Sequence, residues 1–190
     1  MHRLDLVIGP NGAGKSTFVQ RVLVPQLPNS VFVNADVIAK QRWPAEPEVH
    51  SYAAARIAAA TRDALIGSGR SFIAETVFSH PSKLDLLTSA RNADFAIIVH
   101  ALLIPEDMAV ERVARRAAAG GHDVPEDKVR ERYHRLWPLV SAALVRADTA
   151  TVYDNSRRKG PRIVAELSGG FVVGATHLPE WAPEQLRVIC

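Results

Sequence analysis

The stretch Leu4–Val19, LDLVIGPNGAGKSTFV, restricts how this chain can fold more than any other. A mostly apolar run leads into Gly9-Pro10-Asn11-Gly12-Ala13-Gly14-Lys15-Ser16, which fits G-x-x-x-x-G-K-[ST] at every position. The residues before it read as a buried strand and those after it as a helix, which is the context this motif needs. The glycines let backbone N–H groups converge on phosphate oxygens, and the helix N-terminus adds the positive end of its dipole. Lys15 is then placed to reach β- and γ-phosphates, Ser16 to bind Mg²⁺ and Thr17 to touch the α-phosphate. ATP and Mg²⁺ are the expected ligands.

Strand and helix patterns alternate along the rest of the chain. The helix over 15–24 should break at Pro25 and Pro28. SVFVNAD (30–36) reads as a second strand ending in Asp36. Residues 48–66 place Val49, Ala53, Ile57, Ala60 and Ala64 on one helical stripe. RSFIAET (70–76) is a third strand ending in Glu75, and 81–92 is helical with Pro81 in its first turn. Residues 94–104 form a buried fourth strand, and 105–121 a helix stopping at Gly120-Gly121. Asp123 and Glu126 fit a capping box. The helix behind it has Val129, Tyr133, Leu136, Val140 and Leu144 in a stripe and a kink at Pro138. Residues 148–156 are a fifth strand ending in Asp154-Asn155-Ser156. A hairpin over 162–173 and an irregular tail over 174–190 follow. This alternation predicts an α/β fold with a parallel sheet covered on both faces. Ligands in such folds bind outside the carboxyl ends of the strands. The loop, Asp36, Glu75 and Asp154-Asn155 all fall on that rim.

The wording GPNGAGKST, with LSGG at Leu167–Gly170, is shared with transporter-type ATPases. In those, LSGG precedes a helix and a strand ending in Asp-Glu, whereas FVVGATHLPEWAP follows here. LSGG reads instead as a turn between short strands, and the balance shifts to a phosphotransferase. Transfer to a hydroxyl needs a carboxylate that orients the hydroxyl and accepts its proton, and Asp36 is the candidate. Glu75 and Thr76 are candidate substrate contacts, and Asn155 a candidate nucleotide contact. Residues 111–135 carry seven basic and five acidic side chains. Arg112, Arg115 and Arg116 lie on neighbouring positions of one helix, and Lys128, Arg130, Arg132 and Arg135 follow the connection. Two helices so joined predict a lid at about 112–135, whose arginines neutralise charge on a transferring phosphoryl group.

A net charge of +3 is too small to indicate nucleic acid. One cysteine, Cys190, excludes an internal disulfide and fits a reducing compartment. No apolar run reaches the ~20 residues of a membrane span. The first residues lead straight into a strand, so a cytoplasmic chain is expected. The histidines show no metal-ligand spacing; His100 reads as a core residue and His122 as part of the lid connection.

GPNGAGKST, NADVIA, ETVFS, ERVARR, GGHDVPEDKVRERY and DNS, in that order, span most of the chain. The ordered set resembles the zeta-toxin family of P-loop kinases, in particular the chromosomal branch often labelled predicted ABC-type ATPase. The resemblance implies a nucleoside-monophosphate-kinase-like core in a single domain over 1–190. It also implies phosphorylation of a hydroxyl on a UDP-activated amino sugar, typically UDP-N-acetylglucosamine, with an antitoxin protein as a candidate partner. By position, Lys15 and Ser16 match the ATP and Mg²⁺ residues, Asp36 the catalytic base, Glu75 the substrate-binding acid and Arg112 the first lid arginine. The second lid arginine has no counterpart before VPED, where His122 and Asp123 stand; Arg116 or Arg130 is left for that role. The residues themselves also admit other readings. One is a kinase for another hydroxyl acceptor, such as a nucleoside, an antibiotic or a nucleic-acid 5′ end. Another is a non-catalytic nucleotide-dependent binding module.

Overall fold

Strand β1 (His2–Ile8) is apolar on both sides over most of its length, so it can only sit inside a sheet. It lies between β3 (Phe72–Thr76) and β4 (Phe95–Leu103), parallel to both. A computed structural model describes residues 2–119 and 124–190 and gives a seven-stranded sheet of order β2-β3-β1-β4-β5-β6-β7. Strands β2 (Val31–Val33) to β5 (Thr149–Asp154) are parallel, while β6 (Arg162–Ser168) and β7 (Phe171–Val172) join antiparallel. The expected hairpin is therefore present, and Gly169-Gly170 of LSGG is its turn.

The helices are α1 (Lys15–Phe18), α2 (Val24–Gln26), α3 (Ala35–Arg42), α4 (Ser51–Gly67), α5 (Lys83–Asn92), α6 (Glu106–Ala118), α7 (Glu126–Arg146) and α8 (Glu184–Arg187). Right-handed crossovers place α1 on one face and α4, α5 and α7 on the other, the αβα layering expected of the sequence. On α7, Val129, Tyr133, Leu136, Val140 and Leu144 are all buried. No described helix is long and apolar enough to cross a membrane.

Several local expectations change. Pro25 does not end the first helix: a π-helical turn, Val19–Leu23, carries it into α2. It stops at Leu27 (φ −129°), which precedes Pro28 and is driven out of helical space by the ring. Helix α7 contains Pro138 in its interior, as expected, and has Pro125 at its cap position. Asp123, with His122 and the glycine pair, lies outside the described residues. The tail is not wholly irregular, since α8 interrupts it. On α4 the buried face is Ala54, Ala58, Arg62 and Leu65, not the Val49–Ala64 stripe, and Val49 is exposed. Arg62 interrupts the apolar pattern of the true inner face, which is why the neighbouring stripe looked better.

One charged cluster is built into the core. Asp5, fully buried on β1, accepts hydrogen bonds from Arg3 (2.6 and 2.7 Å) and faces His100 Nε2 at 3.1 Å. Phe18 of α1 packs on His100 and Tyr153, so the network lies directly under the helix that follows the glycine loop. Burial alone would raise the Asp5 carboxyl. Hydrogen bonds with His100 and Arg3 outweigh it and hold the group below the ordinary carboxylate range. A lowered folded pKa gives stability that is present above about pH 4 and is lost as pH falls through the folded value. Asp5→Asn should therefore lose about 2 kcal/mol in urea unfolding at neutral pH and show a flatter acid limb than the wild type.

Candidate active site

At the end of β1 the chain turns so tightly that only glycine fits. A side chain at Gly9 (φ +147°) would run into the Leu102 carbonyl of β4. At Gly14 (φ +83°) a Cβ would stand 2.7 Å from Asn155 Nδ2. The loop from Gly9 to Gly14 is then clamped from outside. Asn155, just past β5, donates from Nδ2 to Ala13 O (2.7 Å) and from its backbone to Leu103 O (2.9 Å). Arg112 of α6 donates to Gly12 O (3.3 Å) and Asn155 O (3.2 Å). Asn11 Oδ1 is buried without a donor.

Lys15 is only 7% exposed, and its ammonium donates to Gly9 O (3.0 Å) and Pro10 O (2.9 Å). Burial lowers its pKa, Glu75 and Asp36 push it back up, and Arg116 adds to the lowering. Side chains from β3, α3 and α6 thus converge electrostatically on one ammonium. Ser16 Oγ donates to Glu75 Oε1 (2.9 Å), and Glu75 Oε2 accepts from Asn34 Nδ2 (2.6 Å). Register explains this: Glu75 pairs with Val7 and shares its face, the one α1 covers, whereas Thr76 points to the other. Thr76 Oγ1 faces the Phe78 N–H at 3.5 Å, and Phe78 is buried at φ +62°, a rare conformation for a bulky residue.

Asp36 does not end a strand. Strand β2 stops at Val33, Asn34 caps α3, and Asp36 sits exposed in its first turn. Asn34 Oδ1 accepts from the N–H groups of Asp36 (2.7 Å) and Val37 (3.1 Å) as an N-cap, and its Nδ2, which a capping Asp would lack, makes the donation to Glu75. Sequence reasoning missed Asn34; the signal was an Asn directly before an apolar-periodic segment.

Arg112 and Arg116, one turn apart on α6, address the loop and Lys15, and Arg116 and Thr17 are both exposed. Arg130 is placed otherwise. Its guanidinium is committed to Glu126 (2.9 Å), Asp107 (2.9 Å) and Glu106 (3.1 Å), which hold it charged.

The glycine cradle, Lys15 and an α1 N-terminus with no side-chain cap fit a polyphosphate chain. The Ser16 hydroxyl beside the Glu75 carboxylate offers hard oxygens that fit Mg²⁺. The family profile described as AAA domain matches residues 4–139, from β1 into α7. The chain belongs to the AAA domain family. No curated protein matches it. Among solved structures, this AAA domain is similar to the AvrRxo1-ORF1:-ORF2 complex (TM-score 0.70, 15% identity, 91% of this chain and 60% of that one). It is also similar to the PezAT chromosomal toxin–antitoxin system of Streptococcus pneumoniae (TM-score 0.63, 10% identity, 87% and 72%). A third is a gluconokinase from Sinorhizobium meliloti (TM-score 0.52, 18% identity, 82% and 83%). At these identities the likeness is one of fold, that of the P-loop kinases. The chain spans about 60% of the length of the AvrRxo1-ORF1 complex chain it matches.

Removing the Asn155 amide leaves Ala13 O without its donor and loosens the clamp on the loop. Asn155→Ala should reduce stability by about 1 kcal/mol in urea denaturation with an unchanged m-value.

Proposed function

We propose that this AAA domain is an ATP- and Mg²⁺-dependent kinase of the zeta-toxin type, transferring the γ-phosphate to a hydroxyl of a UDP-N-acetyl amino sugar. The observation that carries the reading is the setting of Lys15. An exposed carboxylate, Asp36, acts electrostatically on the same ammonium as Glu75 and Arg116, which supports its assignment as the base. A purely structural loop needs no such carboxylate. The fold shared with a gluconokinase and with a structure crystallised with ATP supports phosphoryl transfer. The acceptor's identity rests on the ordered motifs of the sequence.

In this reading Gly9–Thr17 cradle the phosphates, with Asn155 steadying the loop. Ser16 holds the metal, which when bound neutralises phosphate charge. Asp36 orients the acceptor hydroxyl and takes its proton as the new O–P bond forms and the bond to the ADP oxygen breaks. Lys15, Arg112 and Arg116 balance the charge of the transferring group. Glu75 positions the acceptor side of the site, while Thr76, on the other face of β3, stands apart from it. Arg130 enters only if helices α6 and α7 close as a lid and release it from its carboxylates. The domain acts in the cytoplasm, and the two-protein nature of the AvrRxo1 and PezAT structures supports an antitoxin-like partner.

The test is incubation with Mg²⁺-ATP and a panel of UDP-sugars, nucleosides and oligonucleotides, read by mass spectrometry for the gain of one phosphate. A UDP-N-acetyl amino sugar should be labelled, and a product confined to another acceptor class would overturn the substrate assignment. Asp36→Asn should bind ATP as the wild type does but transfer at least ~100-fold more slowly; equal transfer would remove Asp36 from the chemistry.

A further inference from the structure

The stripe Val49, Ala53, Ile57, Ala60 and Ala64 is apolar at helical spacing, yet it is not the buried face of α4. That face is Ala54, Ala58, Arg62 and Leu65, so the helix is apolar on a second side as well. The middle of this second side borders a cavity. Helix α4 contributes Ala53, Arg56, Ile57 and Ala60 to an open groove of about 370 Å³, and the end of α3 contributes Arg42 and Trp43.

The composition of the groove selects its occupant. Trp43 is fixed in place: its backbone N–H donates to Ala39 O (2.8 Å), its ring stacks on His50 at 4.5 Å and 14°, and the Arg42 guanidinium lies 5.7 Å from the ring centre. The lining holds two guanidiniums and no acid. Among the described residues neither Arg42 nor Arg56 makes a hydrogen bond or a salt bridge, and both are exposed. Apolar walls with an indole among them suit a flat ring, and free guanidinium forks suit phosphate oxygens. The size agrees. Ala53 to Ala60 is about 10 Å of helix, and small-molecule pockets run from about 300 to 1,000 Å³. A protein partner needs a surface of roughly 20–30 residues. A second copy docked through this same patch would set arginines against arginines.

The groove also has a fixed place relative to Asp36. Trp43 follows Asp36 by seven residues, so the two lie on one side of α3, about 10 Å apart along its axis. A sugar with its hydroxyl at Asp36, joined through a diphosphate to a nucleoside, bridges that interval.

We propose that the groove between α3 and α4 binds the nucleoside-diphosphate end of the acceptor. The ring lies against Trp43, Ile57 and the alanines, the diphosphate meets Arg42 and Arg56, and the sugar is left at Asp36. The assignment to the acceptor rests on the kinase reading, whereas nucleotide binding in the groove does not.

The experiment uses the full chain carrying Lys15→Met, which removes the ammonium of the glycine loop, titrated with UDP by calorimetry at constant ionic strength. One UDP should bind. Adding Arg42→Met or Arg56→Met should weaken it about tenfold or more, and uridine, which lacks the phosphates, should bind more weakly than UDP by a similar factor. UDP should also quench tryptophan emission, and Trp43→Phe should abolish the quench. No UDP binding, binding unchanged by both arginine substitutions, or a quench that survives Trp43→Phe would overturn the site. The acceptor assignment is read in the transfer assay with Lys15 intact. There Arg56→Met should raise the acceptor KM about tenfold or more with kcat nearly unchanged. An unchanged KM, in a protein whose groove binds UDP, would overturn the assignment to the acceptor. If no acceptor is phosphorylated, the kinase reading and that assignment fall together, and the calorimetry still decides the groove.

Discussion

A single buried ammonium organises the functional half of this protein. Lys15 is desolvated by the loop that carries it, and the carbonyl oxygens of Gly9 and Pro10 solvate it in place of water. Carbonyl dipoles replace water only in part, so the lysine remains a strong attractor for negative charge. Glu75 and Asp36 answer that attraction from two other elements, and Arg116 opposes it. The glycines, the Asn155 bridge and the Arg112 contacts keep the loop in the one shape that presents this charge to the rim. Beneath it, the Asp5–His100 pair and the rings of Phe18 and Tyr153 give the following helix a rigid seat.

The sheet was legible because its information is local. Strands β1 and β4 are apolar on both faces, the glycine motif has a fixed meaning, and helices between strands leave few ways to connect them. Glu75 and Asn155 reached their places because strand ends are easy to find. The failures share a cause, which is competition that only the folded chain decides. Asp36 was assigned to a strand because VFVNAD continues the apolar alternation; Asn34 ends it by capping a helix with a side chain that must also reach Glu75. Arg130 looked like a free lid cation, but three carboxylates from two helices are placed to receive it. Spacing along one helix cannot announce partners from another.

The stripe on α4 is the most instructive difference. A reader of periodicity prefers an unbroken apolar series, and Val49, Ala53, Ile57, Ala60 and Ala64 supply one. The folded helix turns a face containing Arg62 inward instead. A charge on the inside of a helix is a local conflict that foldable sequences avoid unless something else rewards it. Positions of this kind stand apart from the hydrophobic pattern, so that pattern alone conceals them.

The Asn34 junction has a mechanical consequence. One amide closes a strand, opens a helix and grips the acid of a neighbouring strand, so the interval between Asn34 and Asp36 is a fixed dimension of the molecule. A helix advances about 100° per residue. A single residue inserted after Asn34 would swing the carboxylate a quarter-turn or more away from the ammonium, while leaving every strand, and almost all of the core, as it was.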